Sequence, residues 1–234
     1  MRPDKNLFIV TSALEPSVGV VSKEDRFSQT VSTFKNLKQK VPDAFIIFSD
    51  GSPVEPNEKN RKEISKYVNA SIYWCNDVQI RDFAGCGRKS EAEILLLLKT
   101  FTLLKQNIEL SKMMASVKRI FKYSARTILL DDFKISLYDN SKLFGKYVFK
   151  KRVPTWISDK TITDHLLQTR FYSLCPSLID NYMQTLLKVL NCCMEHGIDT
   201  ENAHFREIDK KYLVELNKLF CKGILAGTGE EVIF

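Results

Sequence analysis

The opening of this chain constrains its fold more than any other part: two short apolar runs joined by an amphipathic stretch. Leu7-Phe8-Ile9-Val10-Thr11-Ser12 is apolar until it breaks into a polar loop. Residues 26–40 then carry a helical period, with Phe27, Val31, Phe34, Leu37 and Val41 on one face. Ser22, followed three residues on by Asp25, marks the start of that helix. Ala44-Phe45-Ile46-Ile47-Phe48 is the second run, closed by Ser49-Asp50-Gly51-Ser52-Pro53. Bare apolar runs on either side of an amphipathic helix are the signature of a buried parallel βαβ unit. In open parallel sheets, ligands sit outside the carboxyl ends of the strands. Here those ends are Thr11-Ser12 and Ser49-Asp50-Gly51-Ser52, small, polar and partly acidic, where a nucleotide is expected.

The pattern continues as α/β. It predicts a short helix over 63–68, a strand over 70–75, an irregular stretch over 80–87, and a helix opened by Lys89-Ser90-Glu91 and ending near Asn107. That helix is apolar nearly all round at 94–98, so it is expected to be buried against a sheet. Strands are expected over 117–123, 147–151 and 169–173, and an amphipathic helix over 176–194. Residues 212–220 are read as a helix, followed by a glycine-rich strand or loop in which Ala226-Gly227-Thr228-Gly229 is read as a turn rather than a phosphate cradle.

Composition excludes several classes. No apolar run approaches the roughly 18–20 residues needed to cross a bilayer, and Met1-Arg2-Pro3-Asp4-Lys5-Asn6 lacks the pattern of a secretory signal. Six scattered cysteines without C-x-x-C point to free thiols rather than a zinc site or a disulfide framework. A cytoplasmic protein is expected, in the host cytoplasm if the chain is viral. The net charge of +7, from 35 basic and 28 acidic side chains, suits anionic ligands such as nucleotide diphosphates, and also weak nucleic-acid contact. The basic residues are dispersed, and no P-loop, G-x-G-x-x-G, G-x-S-x-G or H-E-x-x-H occurs.

What remains is an ordered set of short segments: Ile9-Val10-Thr11-Ser12-Ala13, Arg26-Phe27-Ser28-Gln29-Thr30 with Pro42-Asp43-Ala44, Arg119-Ile120-Phe121-Lys122-Tyr123-Ser124-Ala125-Arg126, Thr169-Arg170-Phe171-Tyr172-Ser173 and Glu201-Asn202-Ala203-His204. In that order the chain resembles nucleotide-sugar-dependent glycosyltransferases of the GT-A fold, and is similar to small GT-A-like proteins of large DNA viruses and bacteriophages. The resemblance implies a Rossmann-type, mixed but mainly parallel sheet flanked by helices. It implies one domain over 1–234, with a nucleotide-binding half at 1–125 and an acceptor-side half at 126–234. The donor would be a UDP or GDP sugar, and the acceptor hydroxyl would belong to a glycan, a protein or a modified base.

The residue types suit this chemistry. Asp50 or Asp77 can accept the imide proton of uracil or guanine, and Thr11 and Ser12 can bond ribose or phosphate. Arg26 is placed to meet phosphate, while Lys89 and Ser90 stand at a helix N-terminus that favours an anion. Arg170 can meet phosphate or acceptor. Most GT-A enzymes hold Mn²⁺ or Mg²⁺ with a D-x-D segment after the central strand, as hard oxygen ligands require. Here that exit reads Ser124-Ala125-Arg126. Either Asp131 and Asp132 hold the metal, or Lys122 and Arg126 stabilise the diphosphate directly. Glu201 and His204 are the candidates for a catalytic base. The readings that compete with a transferase are a nucleic-acid-associated binding protein and an inactive scaffold of the same fold.

Overall fold

The computed structural model describes residues 4–15, 21–224 and 230–234. The loop positions 16–20 and the Ala226-Gly227-Thr228-Gly229 turn lie outside the described residues.

Strand β1 (Lys5–Ser12) is buried on both faces, which is why its sequence shows no alternation. Helix α1 (Lys23–Lys40) follows, capped by the Ser22 hydroxyl, which accepts from the Asp25 N–H as the sequence predicts. Then come β2 (Phe45–Asp50), α2 (Glu58–Ser65) and β3 (Ala70–Tyr73). Helix α3 (Val78–Gly85) occupies the stretch read as irregular, because Asp77 caps it by accepting from the Ile80 N–H. Helices α4 (Lys89–Gln106) and α5 (Ile108–Met114) lead into the central strand β4 (Val117–Ser124). The second half contains β5 (Thr127–Leu129), β6 (Tyr147–Lys150), β7 (Val153–Pro154), β8 (His165–Leu166) and β9 (Phe171–Leu174). It closes with α6 (Ile179–His196), α7 (Thr200–Glu207), β10 (Leu213–Leu216), β11 (Cys221–Ile224) and β12 (Glu231–Ile233).

The main sheet has the order β10-β6-β9-β4-β1-β2-β3. The pairs β1–β2, β1–β4, β2–β3 and β10–β6 are parallel, and only β9 runs against its neighbours. Successive residues of β1 serve opposite faces. Leu7 and Ile9 join Leu97 and Phe101 of α4 and Leu186 and Val189 of α6, while Phe8 and Val10 join Phe34 and Leu37 of α1.

The chain builds outward from β1 through β2 to β3, and then returns to place β4 on the other side of β1. That reversal leaves a crevice at the carboxyl ends of β1 and β4, the position where doubly wound sheets bind ligands. The exit of β4 is tightly fixed. The Ala125 N–H donates to the Thr11 carbonyl (2.9 Å) and the Ser124 N–H to the Arg170 carbonyl (2.8 Å). The Thr33 hydroxyl of α1 donates to the Ala125 carbonyl (3.0 Å).

Two further differences from the sequence reading appear here. Residues 213–216 form a strand beside β6 rather than a helix. Their apolar spacing fits either period, and pairing with the sheet edge decides it. Residues 200–207 form a helix that the sequence reading does not mark. All six cysteines are free. Among the described residues, no helix is long and apolar enough to cross a membrane.

Candidate active site

A cavity of about 270 Å³ opens at the switch point between β1 and β4. Thr11, Ser12 and Ala13 line it from the end of β1, and Lys122, Ser124, Ala125 and Arg126 from β4 and its exit. Residues near the N-termini of three helices add to the wall: Arg26 of α1, Lys89, Ser90 and Glu93 of α4, and Thr200 and Glu201 of α7. The unpaired N–H groups and dipole of a helix N-terminus favour negative charge, so this convergence biases the cavity toward an anion. Ser90 ties two of these ends together, its hydroxyl accepting from the Thr200 N–H (3.2 Å).

The side chains carry the same bias. Arg26, Lys89, Lys122, Arg126 and Arg170 line the cavity, against the carboxylates of Glu93 and Glu201. Arg26 is only 5% exposed, and its Nε has no hydrogen-bond partner among the described residues; neither does the Ser12 hydroxyl. Burial holds the Arg26 guanidinium below its ordinary range. Arg126 is pushed down to about 10, first by burial and then by the like charges of Arg26 and Arg170. Buried cations that repel one another are a costly arrangement unless an anion joins them.

Strand β11 sets two of these arginines. Arg126 and Arg170 both donate through Nη1 to the Ile224 carbonyl, at 3.0 and 3.2 Å. Gly223 eases this close approach, since a Cβ there would stand 3.3 Å from the Arg126 carbonyl and 3.2 Å from the Phe234 ring and its neighbours would have to give by a few tenths of an ångström.

Lys122 is buried under the cavity, its Nζ 2.5 Å from the Glu93 carboxylate and donating to the Thr169 carbonyl at 2.8 Å. The cations Lys122, Arg126 and Arg170 hold Glu93 ionised, with its carboxyl below the usual range although burial opposes this. Glu201 behaves in the opposite way. Burial, reinforced by the nearby charges of Asp199 and Glu93, raises it to about 7. A carboxyl poised near neutrality beside a cationic cavity suits proton transfer.

The fold therefore gathers Thr11, Ser12, Arg26, Lys89, Ser90, Lys122, Arg126 and Glu201 around one cavity, and Arg170 with them. Five expected residues stand elsewhere. Asp50 is buried behind the wall, its carboxylate accepting from the Leu14 N–H (2.9 Å) and the Ser52 N–H (3.0 Å), so it shapes the loops rather than facing a base. Its pKa, raised to about 6 by burial, belongs to that structural role. His204 faces the core because it lies on the inner side of α7. Its Nε2 is 3.0 Å from the Tyr182 hydroxyl, its Nδ1 lies 2.8 Å from the Thr200 carbonyl, and burial lowers it to about 4. Asp131 and Asp132 are exposed beyond β5, with Asp131 paired to Lys40 at the end of α1. Strand β5 continues past the β4 exit and carries them away from the cavity. Asp77, the other candidate for a base contact, caps α3 and pairs with Lys99 at 2.5 Å.

Glu93 is the residue that sequence reasoning missed. An acidic residue near the start of a helix reads as ordinary dipole compensation, and only the sheet brings Lys122 beneath it.

The structure is similar to that of the mannosyltransferase Ktr4p from S. cerevisiae, over 90% of this chain and 68% of that one, with a TM-score of 0.51 and 10% identity. The fold is the GT-A fold of glycosyltransferases. A glycosyltransferase involved in the glycosylation of the major capsid of PBCV-1 is similar over 90% of this chain and 81% of its own, with a TM-score of 0.48 and 8% identity. Core-mannan synthase A from Aspergillus fumigatus, in its Mn/GDP form, is similar over 90% and 72%, with a TM-score of 0.45 and 9% identity. No family model matches the sequence, and no curated relative does either.

The donor set of this GT-A cavity does not fit a metal held by the protein. The β4 exit offers Ser124-Ala125-Arg126, and Glu93 already has Lys122 as its partner. Among the described residues, no three metal-ligating side chains stand together.

Proposed function

We propose that the chain is a glycosyltransferase that moves a sugar from a nucleoside diphosphate donor, of the UDP or GDP type, to an acceptor hydroxyl. The observation that carries this reading is the convergence of Arg26, Arg126 and Arg170 on one cavity at the β1/β4 switch point of a GT-A fold. A diphosphate supplies the negative charge that this cluster lacks. Thr11 and Ser12 are placed to bond the ribose or the phosphates, with the Ser12 hydroxyl, which has no partner among the described residues, as the first candidate. Lys89 and Ser90 bring the N-terminus of α4 to the same anion.

In the transfer, the bond between the anomeric carbon and the diphosphate oxygen breaks, and its electron pair stays with the diphosphate. The acceptor oxygen bonds the anomeric carbon, and its proton passes to the Glu201 carboxylate. Glu201 is suited to this because its pKa near 7 leaves much of it ionised, yet basic enough to take a proton, at neutral pH. Lys122 keeps Glu93 ionised beside the sugar site.

The test is release of nucleoside diphosphate from a panel of UDP and GDP sugars. The wild-type chain is expected to turn over one donor, slowly with water and faster with an acceptor extract. Glu201→Gln is expected to lower turnover by about 100-fold or more while still binding the diphosphate. Absence of release from every donor, with and without acceptor, would contradict the proposal.

A further inference from the structure

We infer that this site neutralises the donor diphosphate with side chains rather than with a protein-held divalent cation, Arg126 and Arg170 meeting the leaving phosphates and Arg26 facing them. The inference rests on the nucleotide-sugar reading above and goes beyond it by assigning the group that stabilises the leaving charge.

Three independent features carry it. The first is the donor set. A divalent cation on a diphosphate is held by one or two protein carboxylates together with phosphate oxygens, whereas among the described residues five cationic side chains and only two carboxylates line this cavity, and Lys122 occupies one of the two. A bare cation entering it would meet repulsion from Arg26, Arg126 and Arg170.

The second is geometric. Arg126 and Arg170 share the Ile224 carbonyl through one nitrogen each, which brings both guanidinium groups to one acceptor at the cavity. A guanidinium has five N–H donors in a rigid fork, so each retains donors suited to phosphate oxygens. The backbone around Arg126 is locked at Ser124 and Ala125 by β1, α1 and the Arg170 carbonyl. Fixed donors aimed at developing charge need no reorganisation during reaction.

The third is the Arg26 Nε, which has no hydrogen-bond partner among the described residues, in a side chain that is 95% buried at the cavity wall. A buried donor without a partner costs stability unless a ligand fills the place. As the bond from the anomeric carbon to the diphosphate oxygen breaks, the electron pair stays on that oxygen. The arginines meet the added charge, and no other co-reactant enters the balance.

The experiment is calorimetric titration of the full chain with UDP and with GDP, first in EDTA and then in excess Mn²⁺. One nucleotide is expected to bind in EDTA with a Kd within about threefold of its value in Mn²⁺. Arg126→Gln and Arg170→Gln are each expected to weaken that EDTA binding at least tenfold, without lowering the melting temperature of the free protein. Binding that appears only with Mn²⁺ would overturn the inference and leave the transferase reading intact. Unchanged affinity in both arginine variants would also overturn it. Failure of both nucleotides with and without Mn²⁺ would remove the nucleotide-sugar reading on which it stands.

Discussion

Lys122 is 2% exposed, and its Nζ lies 2.5 Å from the carboxylate of Glu93 on the cavity wall. This pair joins the central strand to the N-terminal part of α4, so the wall of the site and the core of the sheet share one interaction. Removing one partner of such a pair leaves the other charge partly buried without its direct counter-ion. Lys122→Met is therefore expected to destabilise the fold by about 1–3 kcal/mol, less than a fully buried pair because Glu93 is 35% exposed. Urea unfolding measures this, and a cycle with Glu93→Gln should show the two losses to be coupled.

The pH dependence of turnover should report Glu201. Its pKa of about 7 means that the base form fills as pH rises, so kcat/KM should increase with pH and level off above about 7. The same shift acts on stability. A carboxyl raised in the folded state contributes stability that is present below its unfolded value and lost as pH rises through about 7. Glu201→Gln should accordingly gain on the wild type in stability between pH 5 and pH 8, while its turnover loses the acid limb. A wild-type profile flat across this range would count against Glu201 as the base.

His204 has the opposite sign. Its folded pKa of about 4 lies below the ordinary histidine value of 6.5, so its contribution is present above pH 6.5 and lost as pH falls toward 4. A shift of this size in a fully buried ring corresponds to about 3 kcal/mol. Melting measured from pH 7 down to pH 4 should show a loss that His204→Gln reduces, if the amide keeps the bonds to Tyr182 and Thr200. Turnover at pH 8 should change little in that variant, because His204 does not line the cavity.

Asp131 and Asp132 lie outside the site, with Asp131 held by Lys40 on the far end of α1. Replacing both with Asn should leave nucleotide affinity and turnover within about twofold of wild type, as expected for exposed positions away from the chemistry. A loss of tenfold or more would return the pair to the site.

Much of this site was legible in the sequence because it lies on the parallel βαβ unit. Thr11, Ser12 and Arg26 follow from the pattern of β1 and α1, and Lys122 and Arg126 from the apolar strand that precedes them. Asp50 was misplaced because strand-end position does not reveal side-chain direction: its carboxylate turns back to satisfy the Leu14 and Ser52 N–H groups. The Asp131-Asp132 pair looked close to the β4 exit in sequence, but β5 pairs with β11 and leads away from the cavity. The pairing of Lys122 with Glu93 joins residues 29 positions apart, and the shared Ile224 carbonyl joins residues 98 and 54 positions apart. Neither leaves a local signal, since each depends on sheet order.

The most direct test of the central claim, a cationic cavity built for a nucleoside diphosphate, is thermal denaturation against a panel of nucleoside diphosphates and their sugars. A ligand at about 100 times its Kd adds roughly 2.7 kcal/mol, which for a chain of this length raises the melting temperature by about 5–10 °C. The account predicts such a rise with one diphosphate and its sugar, and its loss in Arg126→Gln. No rise with any nucleotide at millimolar concentration, or an equal rise in Arg126→Gln, would contradict it.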